Sequence, residues 1–166
     1  STLDRSSAAS DVYKRQEMIG FRKIDPEVAM EKNTWFHLGR NSCEEILYCL
    51  RRIADPCEEH VDNNFVPLSK EQVKEYIPLR DTVLFLLRRT EKILQTDSYD
   101  EVDEVRREAE ELKDCLEKAR EAQMQRMQSS KENIAVAYLY LNLLQETREL
   151  TSSLRHLLRA SKGFRE

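Results

Sequence analysis

Chain breakers are scarce in this sequence: 166 residues hold only 3 Gly and 4 Pro. With so few breakers, and with 35% of residues charged, the composition favours long helices over sheet. Three glycines cannot build a phosphate-cradling loop. No run of about 18 apolar residues occurs, so no segment reads as a membrane span. Positive charge is not in excess either. The formal net charge of −4 argues against nucleic acid, whose binding rests on Lys and Arg against phosphates. The three histidines, His37, His60 and His156, stand apart, and none falls in a Ser/His/Asp or Cys/His spacing. The expectation is a protein that is not an enzyme and carries no cofactor. The four cysteines, Cys43, Cys49, Cys57 and Cys115, include no C-x-x-C pair. They sit inside helical patterns and read as small apolar core residues.

What the chain does have is one strongly patterned stretch, Ile134 to Ala160. Val136, Tyr140, Leu143, Thr147, Leu150, Leu154 and Leu157 recur three and four apart, which keeps one helix face apolar or small. Ala137, Tyr138, Leu141 and Leu144 widen the stripe, while Gln145, Glu146, Arg148 and Arg155 mark a polar side. Such a helix must dock on something, and it is expected at the centre of a bundle.

The first residues read differently. Residues 6–16, SSAASDVYKRQ, look like the in-frame translation of a sequencing-library adapter, so residues 1–16 are set aside as a non-native tail. The expectation is that native sequence begins near Glu17 and that an upstream domain is missing. That tail carries one net positive charge, leaving −5 for residues 17–166.

Within 17–166, Asp25-Pro26 has the form of a helix start. Trp35, Leu38, Ser42, Ile46, Cys49 and Ile53 then share a face, flanked by Leu47, Leu50 and Ala54. Gly39 is a weak point or a close approach of helices. Pro56 either ends this helix or kinks it, and continuation through Cys57, His60 and Val61 is expected. Residues 63–67 read as a loop. Ser69 to Gln72 spells a capping box, opening a helix with Val73, Ile77, Val83, Leu84, Leu86, Leu87, Ile93 and Leu94. Pro78 marks a kink or a separate first segment. A second loop falls at Thr96-Asp97-Ser98, with Ser98 and Glu101 as a second capping box. Val102, Val105, Ala109, Leu112, Leu116 and Ala119 follow in the heptad rhythm of a coiled-coil seam. Gln125 to Ser130 reads as the third break, with Ser129 and Glu132 as a third capping box. Short connections imply antiparallel neighbours. The fold class expected is all-α, an antiparallel bundle of four long helices.

Arg52-Ile-Ala-Asp55, with Glu58-Glu59-His60 shortly after, resembles the R-I-A/G-D-H signature of the PhoU family. The stretches YIPLRDTVLFLLRRTEKIL and YLYLNLLQETRELTSSLRHLLRASKGF are similar to the cytoplasmic PhoU-like tail of bacterial sodium/phosphate cotransporters. The resemblance spans roughly Glu31 to Phe164. The residues themselves also show a faint internal repeat, laying Leu50–Asp55 on Leu144–Glu149. The resemblance implies a regulatory or interaction domain on the cytoplasmic side of the inner membrane, with an upstream transmembrane transport domain of the same protein as partner. A second copy of the chain is a further candidate partner. The alternatives are a free-standing PhoU-like regulator of phosphate uptake and a generic helical dimerisation module.

Members of that family often carry an acidic E/D-x-x-x-D motif that holds metal. Here it would fall at Arg51 and Asp55 and at Gln145 and Glu149, with the first acid replaced both times. A hard cation needs convergent carboxylates, so no metal is expected there. Glu58 and Asp62 spell the motif again one turn on, at the spacing that places both on one helix face. A solvated helix end is the plainer reading of that pair.

Overall fold

The computed structural model describes residues 25–129 and 131–166. It contains four helices and, among the described residues, no strand: α1 (Pro26–Asp62), α2 (Lys70–Thr96), α3 (Val102–Ser129) and α4 (Ile134–Arg165). The adapter-like tail lies outside the described residues. The chain divides into two compact units, 1–34 and 35–166. In the first, the described residues are the opening of α1, where the Asp25 carboxylate accepts from the Glu27 amide.

α1 runs through Pro56, and α2 runs through Pro78 without a separate first segment. Ser69 and Gln72 form the capping box reciprocally, at 3.1 and 2.9 Å. The other two boxes are corrections. Ser98 Oγ turns to Asp100, and α3 starts at Val102, whose amide bonds the Tyr99 carbonyl. Ser129 is the last residue of α3, so the third break begins after it and not at Gln125. The cap of α4 is Asn133, whose side chain accepts from the Val136 amide at 3.2 Å. Glu132 is free to turn inward because it is not the capping partner; its carboxylate takes the Gln123 amide at 2.6 Å.

α4 is the helix with most of its surface covered. All seven positions of the predicted stripe are buried, with Ala137 and Leu144. Of the other two widening positions, Leu141 is half-buried and Tyr138 is 63% exposed. Burial continues to Leu158 and Ala160, and the helix runs five residues past Ala160. α3 behaves as its heptad predicts, burying Val102, Val105, Ala109, Leu112, Leu116 and Ala119.

The flanking helices depart more. On α2 the buried face is Gln72, Val83, Leu86, Thr90 and Ile93, while Val73, Ile77, Leu84 and Leu94 are exposed. On α1, Ser42, Ile46 and Cys49 are buried, but Leu38, Leu47 and Leu50 are exposed. Cys49 alone of the cysteines is a buried core residue; Cys57 is half-buried, and Cys43 and Cys115 are exposed. Helical spacing sets which residues share a face, but not how wide a face the neighbours cover.

Long side chains fix the pairing of helices. Arg89 on α2 meets Glu104 and Glu108 on α3, each at 2.9 Å, and Glu101 just before it at 3.4 Å. Arg155 on α4 pairs with Glu110 on α3. Arg165, at the end of α4, donates to the Asp97 carbonyl at 2.9 Å. That carbonyl belongs to the left-handed residue that closes α2, with φ 51°. Gly39 on α1 faces Ala160 on α4, where an added Cβ would make ordinary contact at 3.7 Å. Gly163 is the tight approach instead: a Cβ there would sit 2.5 Å from the Trp35 ring.

Candidate functional site

α4 carries polar side chains inward on two sides. Toward α2 and α3, Tyr140 is fully buried, and its hydroxyl donates to Glu75 at 2.5 Å. The Arg126 guanidinium also grips Glu75, at 3.2 and 3.3 Å, and lies 5.9 Å from the centre of the Tyr140 ring. It donates to Gln123 Oε1 as well, at 3.0 and 2.7 Å. The buried Gln123 further accepts from Gln72 at 3.1 Å. Gln72 is the capping-box partner of Ser69, the N-cap of α2, so the helix cap and the core network are one hydrogen-bonded chain.

Beside it, Tyr76 and Thr147 share a hydrogen bond of 2.8 Å. Thr147 gives its one proton to the Leu143 carbonyl, so Tyr76 is the donor. Burial, and then the Glu75 carboxylate, push the Tyr140 phenol far above its ordinary value. Burial also raises Tyr76. For Arg126, burial opposes the charge, but the hydrogen bonds and charge of Glu75 outweigh it and raise the pKa.

On the other side of α4, Arg52 of α1 bridges Glu146 and Glu45, each at 2.8 Å. The Asn142 amide donates to the Arg52 carbonyl at 3.0 Å. Arg52 Nη2 also lies 3.5 Å from the Cys49 sulfur. Burial pushes the Cys49 thiol up to about 11, against the lowering pull of Arg52. The thiol is therefore protonated and unreactive at neutral pH.

The residues singled out for metal do not converge. Gln145 donates to Glu149 at 2.8 Å on the exposed surface. Arg51 and Asp55 are exposed; Arg51 lines a shallow groove of about 480 Å³ with Leu47, Tyr48 and Leu50 on the outer face of α1. Glu58 and Asp62 are also exposed. Among the described residues, no three His, Cys, Asp or Glu side chains come together as a metal set. The acid that does turn inward is Glu146, one residue from Gln145, and its partner is Arg52, one residue from Arg51. Sequence reasoning placed Glu146 on the polar side. Its burial depends on the position of α1, which periodicity along α4 cannot report.

The histidines do not form a set with one another in these contacts. His60 is buried and holds the Val66 carbonyl at 2.7 Å, tying the end of α1 to the loop that follows. His37 is exposed on α1 and His156 is exposed on α4.

The class these features define is an all-helical bundle with buried, internally satisfied polar networks. No helix among the described residues is long and apolar enough to cross a membrane. No family model, no curated protein and no solved structure matches the chain.

Proposed function

We propose that the chain is a PhoU-like regulatory domain of a sodium-dependent phosphate cotransporter, acting by docking and not by catalysis. The sequence support is Arg52-Ile-Ala-Asp55 and the similarity running to Phe164. The structural observation that carries the docking reading is the outer face of α1. Leu47, Tyr48 and Leu50 lie there, 63%, 54% and 40% exposed, beside Arg51. Apolar side chains grouped on one helix face are the usual mark of an interaction surface.

In this reading the bundle is antiparallel, up and down. The pairs Arg89–Glu104 and Arg155–Glu110, and Gly39 against Ala160, support that order. The domain would sit at the cytoplasmic face of the bacterial inner membrane, joined to the transport domain it controls. The missing carboxylates at Arg51 and Gln145 favour a version of the family that works without metal at that position.

Sodium-dependent phosphate uptake, measured in cells carrying the parent gene with and without the segment coding residues 26–165, tests the proposal. Deletion should change uptake or its response to external phosphate. Unchanged uptake and response would remove the transporter reading. A parent gene without membrane spans would favour the free-standing regulator.

The dimerisation reading started from the stripe Val102–Ala119. That stripe is buried within the bundle, so a dimer would have to use another face, such as that of α1.

A further inference from the structure

Where α1 and α4 approach through small residues, a cleft of about 530 Å³ opens between them. That size lies in the range of small-molecule sites, about 300–1,000 Å³. Leu38, Ala160 and Trp35 supply apolar lining. Asn41, Ser42, Glu45, Ser153 and His156 supply polar lining, and one of these groups is unusual. The buried hydroxyls of this region satisfy themselves within their own helices: Ser42 donates to Leu38, Thr147 to Leu143 and Thr151 to Thr147. Ser153, only 5% exposed and facing the cleft, makes no hydrogen bond to any described residue. Its hydroxyl opens on the space of the cleft and is available to a molecule bound there.

The lining also holds an exposed cation, Arg159. Arg159 has no carboxylate partner among the described residues; its guanidinium lies over the Trp35 ring, 5.9 Å from the centroid. The acid in the cleft, Glu45, is already held by Arg52 at 2.8 Å.

We propose that this cleft binds a small organic monocarboxylate with an apolar body. The body lies against Leu38, Ala160 and Trp35. The carboxylate takes the planar fork of Arg159, and one of its oxygens accepts the Ser153 proton. With Glu45 held by Arg52, the one lining guanidinium without a carboxylate, Arg159, matches a single negative charge. A phosphate dianion would meet Glu45 with one unpaired arginine to offset it. The site is separate from the outer face of α1 on which the docking reading rests, so either can fail alone.

Trp35 is the one tryptophan of the chain, so its fluorescence reports the cleft directly. The full chain is titrated with octanoate, and with octanol, octylamine and inorganic phosphate as comparisons. Octanoate should give a saturable change, with octanol and phosphate at least tenfold weaker. Arg159→Gln, on an exposed residue, should weaken octanoate at least tenfold while leaving helical circular dichroism unchanged. Ser153→Ala should weaken it about threefold. Equal binding of octanol and octanoate would mean a merely greasy surface and would overturn the proposal. So would octanoate binding unaffected by Arg159→Gln, or a titration that never saturates.

Discussion

The two sides of α4 solve the same problem differently. Toward α2 and α3, a connected polar network runs from Gln72 through Gln123 and Arg126 to Glu75 and Tyr140, although the buried Thr90 hydroxyl of α2 stands outside it without a hydrogen bond. Toward α1, the contact is made by small residues, Gly39 against Ala160 and Ser42 near Ser153, with the single Arg52 bridge above them. The network makes the first side specific, because each of its members has a partner that only one helix register supplies. The second leaves a cleft, a hydroxyl and a guanidinium open. A satisfied network reads as structure, and an unsatisfied one as a place for something else.

Breaking the networked side should cost most. Arg126→Met removes the cation shared by Glu75 and Gln123 and strands a part-buried carboxylate. Urea unfolding should show a loss of about 3 kcal/mol. A loss under ~1 kcal/mol would mean that water compensates Glu75 and that the two sides do not differ as described.

On the α1 side, Gly163→Ala places a methyl group against the Trp35 ring. The ring must move, costing about 1–2 kcal/mol and shifting the tryptophan emission to the red. Unchanged emission would show that the end of α4 yields instead of Trp35.

The buried groups on the two sides also predict a response to alkali. Cys49 lies on α1, and its thiol is raised from 9.0 to about 11; Tyr140, on α4, faces α2 and α3, and its phenol is raised above 10.0. A group whose folded pKa lies above its unfolded value keeps its proton longer in the native state. Its contribution is therefore complete below the unfolded pKa and is lost as pH rises beyond it. Stability should be level up to about pH 9, then fall by about 1.4 kcal/mol per pH unit for each group that resists ionisation. Tyr140→Phe should reduce the slope above pH 10, and Cys49→Ala the slope between 9 and 11. An unchanged slope in the tyrosine variant would locate the alkaline transition on the α1 side.

The smallest effect has the opposite sign. Gly39→Ala has room for its methyl group and gains helix propensity, so stability should rise by about 0.5–1 kcal/mol. A loss would mean that α1 and α4 sit closer than the 3.7 Å contact implies.

The four helices, the Ser69–Gln72 cap, the stripe of α3 and the central place of α4 were all legible in the chain. Each is governed by neighbours three or four residues apart, and that spacing is written in the sequence. The caps at Ser98 and Ser129 were misread because a local motif is only one option for its side chains. Asp100 took the Ser98 hydroxyl, and Gln123 and Arg126 drew Glu132 inward. Which apolar residues stay outside, at Leu47, Leu50, Leu84 and Leu94, depended on how much of each helix its neighbours cover. So did the choice of Glu146 over Gln145 as the inward acid, and of Arg52 over Arg51 as its partner. Contacts between residues some 50 to 90 positions apart, such as Gln72 with Gln123 or Arg52 with Glu146, leave no periodic trace along the chain. Only the packed arrangement of helices decides them, because burial of a polar group depends on what stands opposite it.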